Sequence, residues 1–232
     1  MKWLYLLLPF ILATVAFGVY LYTASPATMW LDAGRIVAGN ISWGITNPAD
    51  PAYHPIAFLF GLLPIGSYIF RLQILAALMA ATTLVLVYKL TLRILEDQPS
   101  LLFKTLAAVV SLVSLAFCYQ FWSQAQNIET FIMVGMLGSV ILTLILWPTH
   151  SREGFLRKMV GIVMTFGIAS GTNPIIMSMM PSSLLLMAQK RRFLNDVNLF
   201  WLTLLGISTV VLVYLYLPIR ASHHPFINWY YI

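Results

Sequence analysis

Charged residues are scarce in this chain. Only 9% of its 232 residues are Asp, Glu, Lys or Arg, against about a quarter in an ordinary soluble domain. Acidic residues number just seven. A soluble fold of this size needs more polar surface, so much of the 60% hydrophobic content must face lipid. Cysteine occurs once, at Cys118, which excludes an intrachain disulfide and a cysteine metal cluster. That residue reads as a small apolar packing group. The net charge is +6, yet the basic residues fall in short clusters between apolar runs. A nucleic-acid partner, which needs a continuous basic patch, is thereby excluded. There is no repeat, low-complexity run or soluble domain, and residues 1–232 read as one membrane domain.

What is abundant is long apolar sequence. Crossing a hydrocarbon core of roughly 30 Å takes about 20 helical residues. The apolar runs predict spans near Trp3–Tyr22, Arg71–Leu95, Leu101–Phe121, Ile128–Trp147, Lys158–Ser170, Pro174–Gln189 and Leu199–Leu217. The expected fold is therefore all-α and polytopic, with about seven transmembrane helices. The fifth and sixth runs are short and suit a hairpin bending at Gly171-Thr172-Asn173-Pro174 inside the protein. Ile56–Pro64 is too short to span and is expected at the interface. Residues 1–25 read as a signal anchor rather than a cleaved signal peptide, because the apolar stretch is long and many spans follow.

Charge sets the orientation. With the N-terminus in the cytoplasm, Lys2, Lys89, Arg93, Lys104, Arg152, Arg157, Lys158, Lys190, Arg191 and Arg192 fall inside. Only Arg35, Arg71 and Arg220 fall outside. That bias predicts a multi-pass protein of the cell (inner) membrane, or of the endoplasmic reticulum in a eukaryote, with its C-terminus outside. It disfavours a seven-helix receptor, whose N-terminus would lie outside.

The outer side holds one long loop, Thr23 to Pro55, with Asp32, Arg35, Asn40, Asp50 and His54 among Gly, Pro and aromatic residues. A loop above about 12–15 residues without secondary structure is usually functional or disordered, and Trp30, Trp43 and Tyr53 argue against disorder. Further outer segments are Tyr119–Asn127 followed by Glu129, then Gly171–Asn173, then Pro218 onward with Arg220, His223 and His224. Carboxylates, arginines and histidines can thus converge above the bundle. Each also has a plainer reading. Asp32 suits a helix cap, Glu129 a hydrated helix end, Asp50 and His54 a loop, and Arg71 a side chain snorkelling to the interface. Adjacent histidines point apart and no third ligand is evident, so no metal site is expected. Asn40-Ile41-Ser42 is a glycosylation sequon, relevant only in a eukaryotic secretory membrane.

The chain also resembles a known family. Tyr22-Thr23-Ala24-Ser25-Pro26 followed by Trp30-Leu31-Asp32-Ala33-Gly34 looks like the first outer loop of the protein O-mannosyltransferase-like membrane proteins. Asn47–Pro55, Leu62-Leu63-Pro64 and Arg71-Leu72-Gln73 resemble that family's next three motifs. Phe121-Trp122-Ser123 through Glu129, Gly167 to Pro174, and Leu217-Pro218-Ile219-Arg220-Ala221 with Asn228-Trp229 resemble the rest, in the right order. The departures are Arg35 where the family has Glu, Asn47 where it has His, the interruption Ala49-Asp50-Pro51-Ala52, and Thr172 where His is common. The sequence given stops at Ile232, whereas the family usually continues into further spans.

The resemblance implies the GT-C fold and transfer of a sugar from a polyprenyl-phosphate carrier to a protein or glycan hydroxyl at the outer face. Such an inverting transfer needs a base for the acceptor's proton and positive charge for the departing phosphate. Asp32 is the candidate base, and Glu129 the second catalytic carboxylate, which would orient groups. Arg220, Arg71 and Arg35 are candidate phosphate partners, since a guanidinium matches phosphate geometry. Arg35 has a second reading, a pair with Asp32 that makes it a poorer base. Asp50, His54, Asn173 and His223 are accessory candidates. No cofactor is implied beyond the lipid-linked sugar itself, and the bilayer is a partner. Two other functions are compatible with the sequence. One is an inactive or truncated member that binds carrier lipid or a partner subunit. The other is a transporter, against which stand the lack of an internal repeat and of charge in the middle of any span.

Overall fold

The computed structural model describes residues 2–27, 32–45, 50–189 and 193–228, with side chains from residue 7 onward. Trp30, Leu31, Asn47 to Ala49, the basic run Lys190 to Arg192 and Trp229 lie outside those residues. The helices are α1 (Lys2–Tyr22), α2 (Ala33–Ile41), α3 (Tyr53–Gly61), α4 (Tyr68–Ile94), α5 (Leu101–Ala116), α6 (Tyr119–Gln126), α7 (Phe131–Leu146) and α8 (Arg152–Ser170). A 3₁₀ turn, Pro174–Met179, then leads into α9 (Met180–Gln189), and α10 (Asp196–Ser222) follows. Among the described residues there is no strand, only an isolated parallel bridge between Ile45 and Asn228. The all-α expectation holds.

α4 is the centre, packed against α1, α5 and α7. Its contact faces are built from small residues: Ala76, Ala77 and Ala80 are fully buried, as are Ala108 of α5 and, nearly so, Ala13 and Ala16 of α1. Lipid tails are as apolar as leucine, so helices in a bilayer gain by close approach, and alanine permits it. Hydroxyls inside the bundle are satisfied by their own helices. Those of Thr83, Ser111, Ser139, Thr165 and Thr209 each donate to the carbonyl four residues earlier.

Among the described residues, fewer helices than the seven expected are by themselves long and apolar enough to cross a membrane. α4 and α10, of 27 residues each, are long and apolar enough to cross a membrane. α5 and α6 together make a third if they are one span broken by 62°. The helix expected over Leu101–Phe121 is broken, because the chain leaves the helix after Ala116 and Cys118 adopts an extended backbone. The α7 helix has 16 residues, about 24 Å at 1.5 Å each, and residues 174–189 are similarly short, whereas α1 has 21 residues. α8 starts at Arg152, so Arg152, Glu153, Arg157 and Lys158 occupy its first two turns. The chain breaks where the bend is expected, at residues 171–174, with α8 ending at Ser170 and Asn173 capping the 3₁₀ turn.

The bundle has two distinct ends. At one, Arg93 donates to the Leu146 carbonyl at 3.2 Å, Lys104 to that of Glu96 at 2.5 Å, and Lys158 to those of Ile145 and Trp147 at 2.7 and 2.8 Å. At the other, Gln73 reaches the Ser25 carbonyl at 2.7 Å and Gln126 the Thr23 hydroxyl. There too the Ala52 amide meets the Gly171 carbonyl at 2.8 Å. The expected bare loop from Thr23 to Pro55 is corrected at this second end. α2 forms inside it, and α3 takes in its last residues together with most of the short apolar piece.

α10 is only lightly buried and rests mainly on α8. The close approach is at Gly167, where a Cβ would stand 2.6 Å from Cβ and Cγ2 of Thr209. Gly167→Leu should therefore push α10 off α8 and lower unfolding stability in detergent by about 1–3 kcal/mol. Gly18→Ala, where a Cβ meets nothing within 4 Å, is the control and should cause no loss. Thermal unfolding followed by circular dichroism reads both; equal loss in the two variants would refute the close-packing role.

Candidate active site

The second end of the bundle gathers four charged side chains. Asp32 stands just before the first residue of α2, at a position where a carboxylate ordinarily caps its own helix. Here it makes no such cap. Its carboxylate instead takes a fork from Arg35, with Nε to Oδ1 at 3.1 Å and Nη2 to Oδ2 at 3.0 Å. The same Nη2 lies 3.5 Å from Oδ2 of Asp50, so Arg35 bridges two carboxylates. The pairing of Arg35 with Asp32 read from the sequence is thus formed. Glu129, between α6 and α7, accepts from the backbone amide of Asp32 at 3.3 Å.

The two carboxylates differ in access. The Asp32 side chain is 54% exposed, whereas Glu129 is 1% exposed. The hydrated helix end expected for Glu129 does not occur, and the carboxylate open to water is that of Asp32. Burial raises the Glu129 carboxyl above its usual range, and the charges of Asp32 and Asp50 add to that. The Asp32 amide and the Arg35 guanidinium pull the other way.

His54 lies in the same neighbourhood, 2% exposed. Asn40 donates through Nδ2 to the Ile36 carbonyl at 2.9 Å, which fixes its amide, and the same nitrogen stands 3.2 Å from Nδ1 of His54. That contact makes Nδ1 an acceptor and the ring neutral. Burial first, then the Arg35 charge, lower the imidazole to about 4. Asn40 is 1% exposed, so the sequon it opens is sealed in the fold. Tyr53 is fully buried beside Glu129, its hydroxyl without a partner.

The remaining candidates stand apart from this cluster. Arg71 donates to three carbonyls, Gly61 at 2.7 Å, Ile65 at 2.9 Å and Gly66 at 3.2 Å, and so braces the turn between α3 and α4. Arg220 donates through Nε to the Trp43 carbonyl. Trp43 has a left-handed backbone (φ 50°), uncommon for a bulky residue. Its ring is held between Phe58 and Tyr216, with centroids 3.9 and 5.6 Å away. Next to it the Ile45 amide bonds the Ile227 carbonyl at 2.8 Å. A side chain on Gly44 would collide with that same Ile227 carbonyl. Asn173 caps Ile175 at 3.0 Å, and exposed His223 contacts the Ile219 carbonyl at 2.7 Å. Sequence reasoning missed Tyr53 and Asn40 as members of the charged cluster; an aromatic and an amide in a presumed loop carry no signal of burial.

Residues 32–196, more than half of the chain, match the family model of the protein O-mannosyl-transferase TMEM260 N-terminal domain. The chain belongs to this family. The O-mannosyltransferase resemblance read from the motifs is thereby supported by an independent comparison. The match to the TMEM260 N-terminal domain begins at Asp32 and takes in Arg35, Asp50, His54, Arg71, Glu129 and Asn173, while Arg220 and His223 lie beyond it. No curated protein and no solved structure matches the chain. Family membership suggests a glycosyltransferase, and the apolar helices suggest association with a membrane.

The titrations of His54 and Glu129 are shifted in opposite directions. His54 is held neutral, so its contribution to stability is intact above its ordinary 6.5 and is lost as pH falls towards about 4. Glu129 resists ionisation, so its contribution is intact below the ordinary 4.5 and is lost as pH rises through its raised value. The thermal midpoint should drop on acidification through the imidazole window, and His54→Gln should flatten that limb. Glu129→Gln, which still accepts from the Asp32 amide, should stabilise the protein at neutral pH more than in acid. A pH-independent effect of Glu129→Gln would contradict its burial as a strained carboxylate.

Proposed function

We propose that the chain is a multi-pass membrane glycosyltransferase with a GT-C core. It moves a sugar, mannose being the first to try, from a polyprenyl-phosphate carrier to a protein hydroxyl with inversion. The observation that carries this reading is the joined pair of carboxylates. An exposed one at Asp32 is held by its amide on a buried one at Glu129, in a chain of the O-mannosyl-transferase family. In the reaction the bond from the anomeric carbon to the carrier phosphate breaks and a bond to the acceptor oxygen forms. The acceptor's proton passes to a base, and the phosphate leaves as an anion.

Access supports Asp32 as that base, since a hydroxyl can reach a half-exposed carboxylate and not one with 1% exposure. Glu129 then acts by positioning the Asp32 backbone. Arg35 has to loosen its fork on Asp32 as the base takes the proton. Loosening that fork frees its Nε and Nη2 for the departing phosphate. Arg220, bound through Nε to the Trp43 carbonyl apart from this cluster, is a second candidate for the carrier phosphate. The three carbonyls on Arg71 support a bracing role there instead.

The assay is transfer from a polyprenyl-phosphate sugar to a threonine peptide by the purified full chain, with release of polyprenyl phosphate. Asp32→Asn should lower turnover by about 10²–10⁴-fold with donor binding little changed. Glu129→Gln should cost less, because its amide oxygen still accepts from Asp32. Near-wild-type turnover by Asp32→Asn would remove that residue from the role, and a larger loss at Glu129 would transfer the role to it. A correctly folded protein that binds the carrier and never transfers sugar would instead be an inactive carrier-binding member, a reading favoured by the grip of Arg35 on Asp32.

The reading places the cluster at the outer face, with the cytoplasmic end carrying Lys89, Arg93, Lys104 and Lys158 and with seven crossings in all. Single cysteines at Ser151 and Ser222, in a Cys118→Ala background, should then be labelled from opposite sides of the membrane. Labelling of both from one side would exclude an odd number of crossings between the two ends.

A further inference from the structure

The basic end of the bundle, away from the carboxylates, has a cleft of about 630 Å³ where α7 hands over to α8. Thr149, His150 and Ser151 of the connecting loop line it, with Arg157 and Lys158 of α8. All five carry N–H or O–H donors, and among the described residues no Asp or Glu lines the cleft. Lys158 is buried and spends two donors on the carbonyls of Ile145 and Trp147, so what it gives the cleft is charge. Arg157 is the cation within reach of a ligand. Its side chain is 79% exposed, and among the described residues its partner is Glu153, one turn earlier, through Nη2 alone. Nε and Nη1 are left to bind. An anion entering here meets donors and positive charge, and a cation meets neither acceptor carboxylate nor attraction.

The surroundings distinguish a lipid from a free anion. α7 ends at Leu146, and the indole that follows, Trp147, is exposed in the wall of the cleft. A tryptophan at the end of an apolar helix belongs at the membrane interface, the level of lipid headgroups. From Arg157 an exposed apolar stripe runs on along α8. Val160 and Met164, three and seven residues later, share its face and are exposed. The stripe is bounded by helix contacts, since Gly161 faces Leu144 of α7 and Gly167 faces Thr209 of α10. From Arg157 to Met164 is about 10 Å along the axis, a track for part of one acyl chain.

We propose that this cleft holds the headgroup of an anionic glycerophospholipid, with its phosphate on Arg157 beside the Lys158 charge and an acyl chain along Val160 and Met164. The bound lipid braces the loop between α7 and α8, and its binding does not depend on sugar transfer.

The full chain in uncharged detergent micelles is titrated with pyrene-tailed phosphatidylglycerol, and binding is read by energy transfer from tryptophan. Unlabelled phosphatidylglycerol should compete roughly tenfold better than phosphatidylcholine, and inorganic phosphate should not compete at the lipid's own concentration. Arg157→Gln should weaken binding roughly tenfold, the loss of about one charge-assisted hydrogen bond. Arg152→Gln removes the same charge from an exposed residue outside the lining and should change binding little. The competition is read on the unmodified protein, so it decides even where a variant fails to fold. Equal losses in the two arginine variants would mean diffuse attraction to the basic end and overturn the site. Equal competition by phosphatidylcholine, or displacement by inorganic phosphate at the lipid's concentration, would overturn the anionic lipid as occupant.

Discussion

The hydrogen bond from the Asp32 amide to the Glu129 carboxylate ties the beginning of α2 to the junction of α6 and α7. A carboxylate this well sealed is unfavourable unless donors and counter-charge come with it. The Asp32 amide supplies the donor, and Arg35, one turn into α2, supplies the charge. Arg35 in turn draws Asp50 inward, which delivers Tyr53 and His54 at the start of α3. The arrangement of α2, residues 50–54 and the α6–α7 corner follows from that one buried ion. The result is two carboxylates joined through a backbone, one open to a substrate and one closed to it.

Much of this architecture was legible because long apolar runs leave few alternatives. α4 and α10 appear where the hydropathy puts them, and the Gly171-Thr172-Asn173-Pro174 sequence bends the chain as its residue types require. The break at Phe117 and Cys118 was not legible, since neither Gly nor Pro marks it and the apolar run continues across it. α2 was hidden for the converse reason. Its nine residues include two glycines, and it is held by Asn40, Arg35 and the packing of Ile36 and Val37 rather than by helix propensity. The chemistry-bearing residues were found through family motifs, but burial was not, because burial depends on which elements fold over a residue. Composition cannot say that Glu129 is sealed and Asp32 is open.

The three arginines expected on the outer side show how little a residue type settles by itself. Arg35 bridges carboxylates, Arg71 braces three carbonyls, and Arg220 grips the Trp43 carbonyl. In each case the planar fork of donors is matched to what the neighbouring backbone or acid offers. Where charges are few, each one organises the chain around it.

The clasp at Trp43 bears on how the protein is made. Its two halves, Trp43 and Arg220, are separated by 177 residues, and the Ile45 to Ile227 bond joins chain segments as distant. A ribosome therefore releases the outer loop long before the strap that closes it. During that interval α2 and α3 have their carboxylates and arginine in place, but the loop between them lacks its last anchor. Closure of the loop therefore waits until α10 has docked on α8 and brought Arg220 to Trp43.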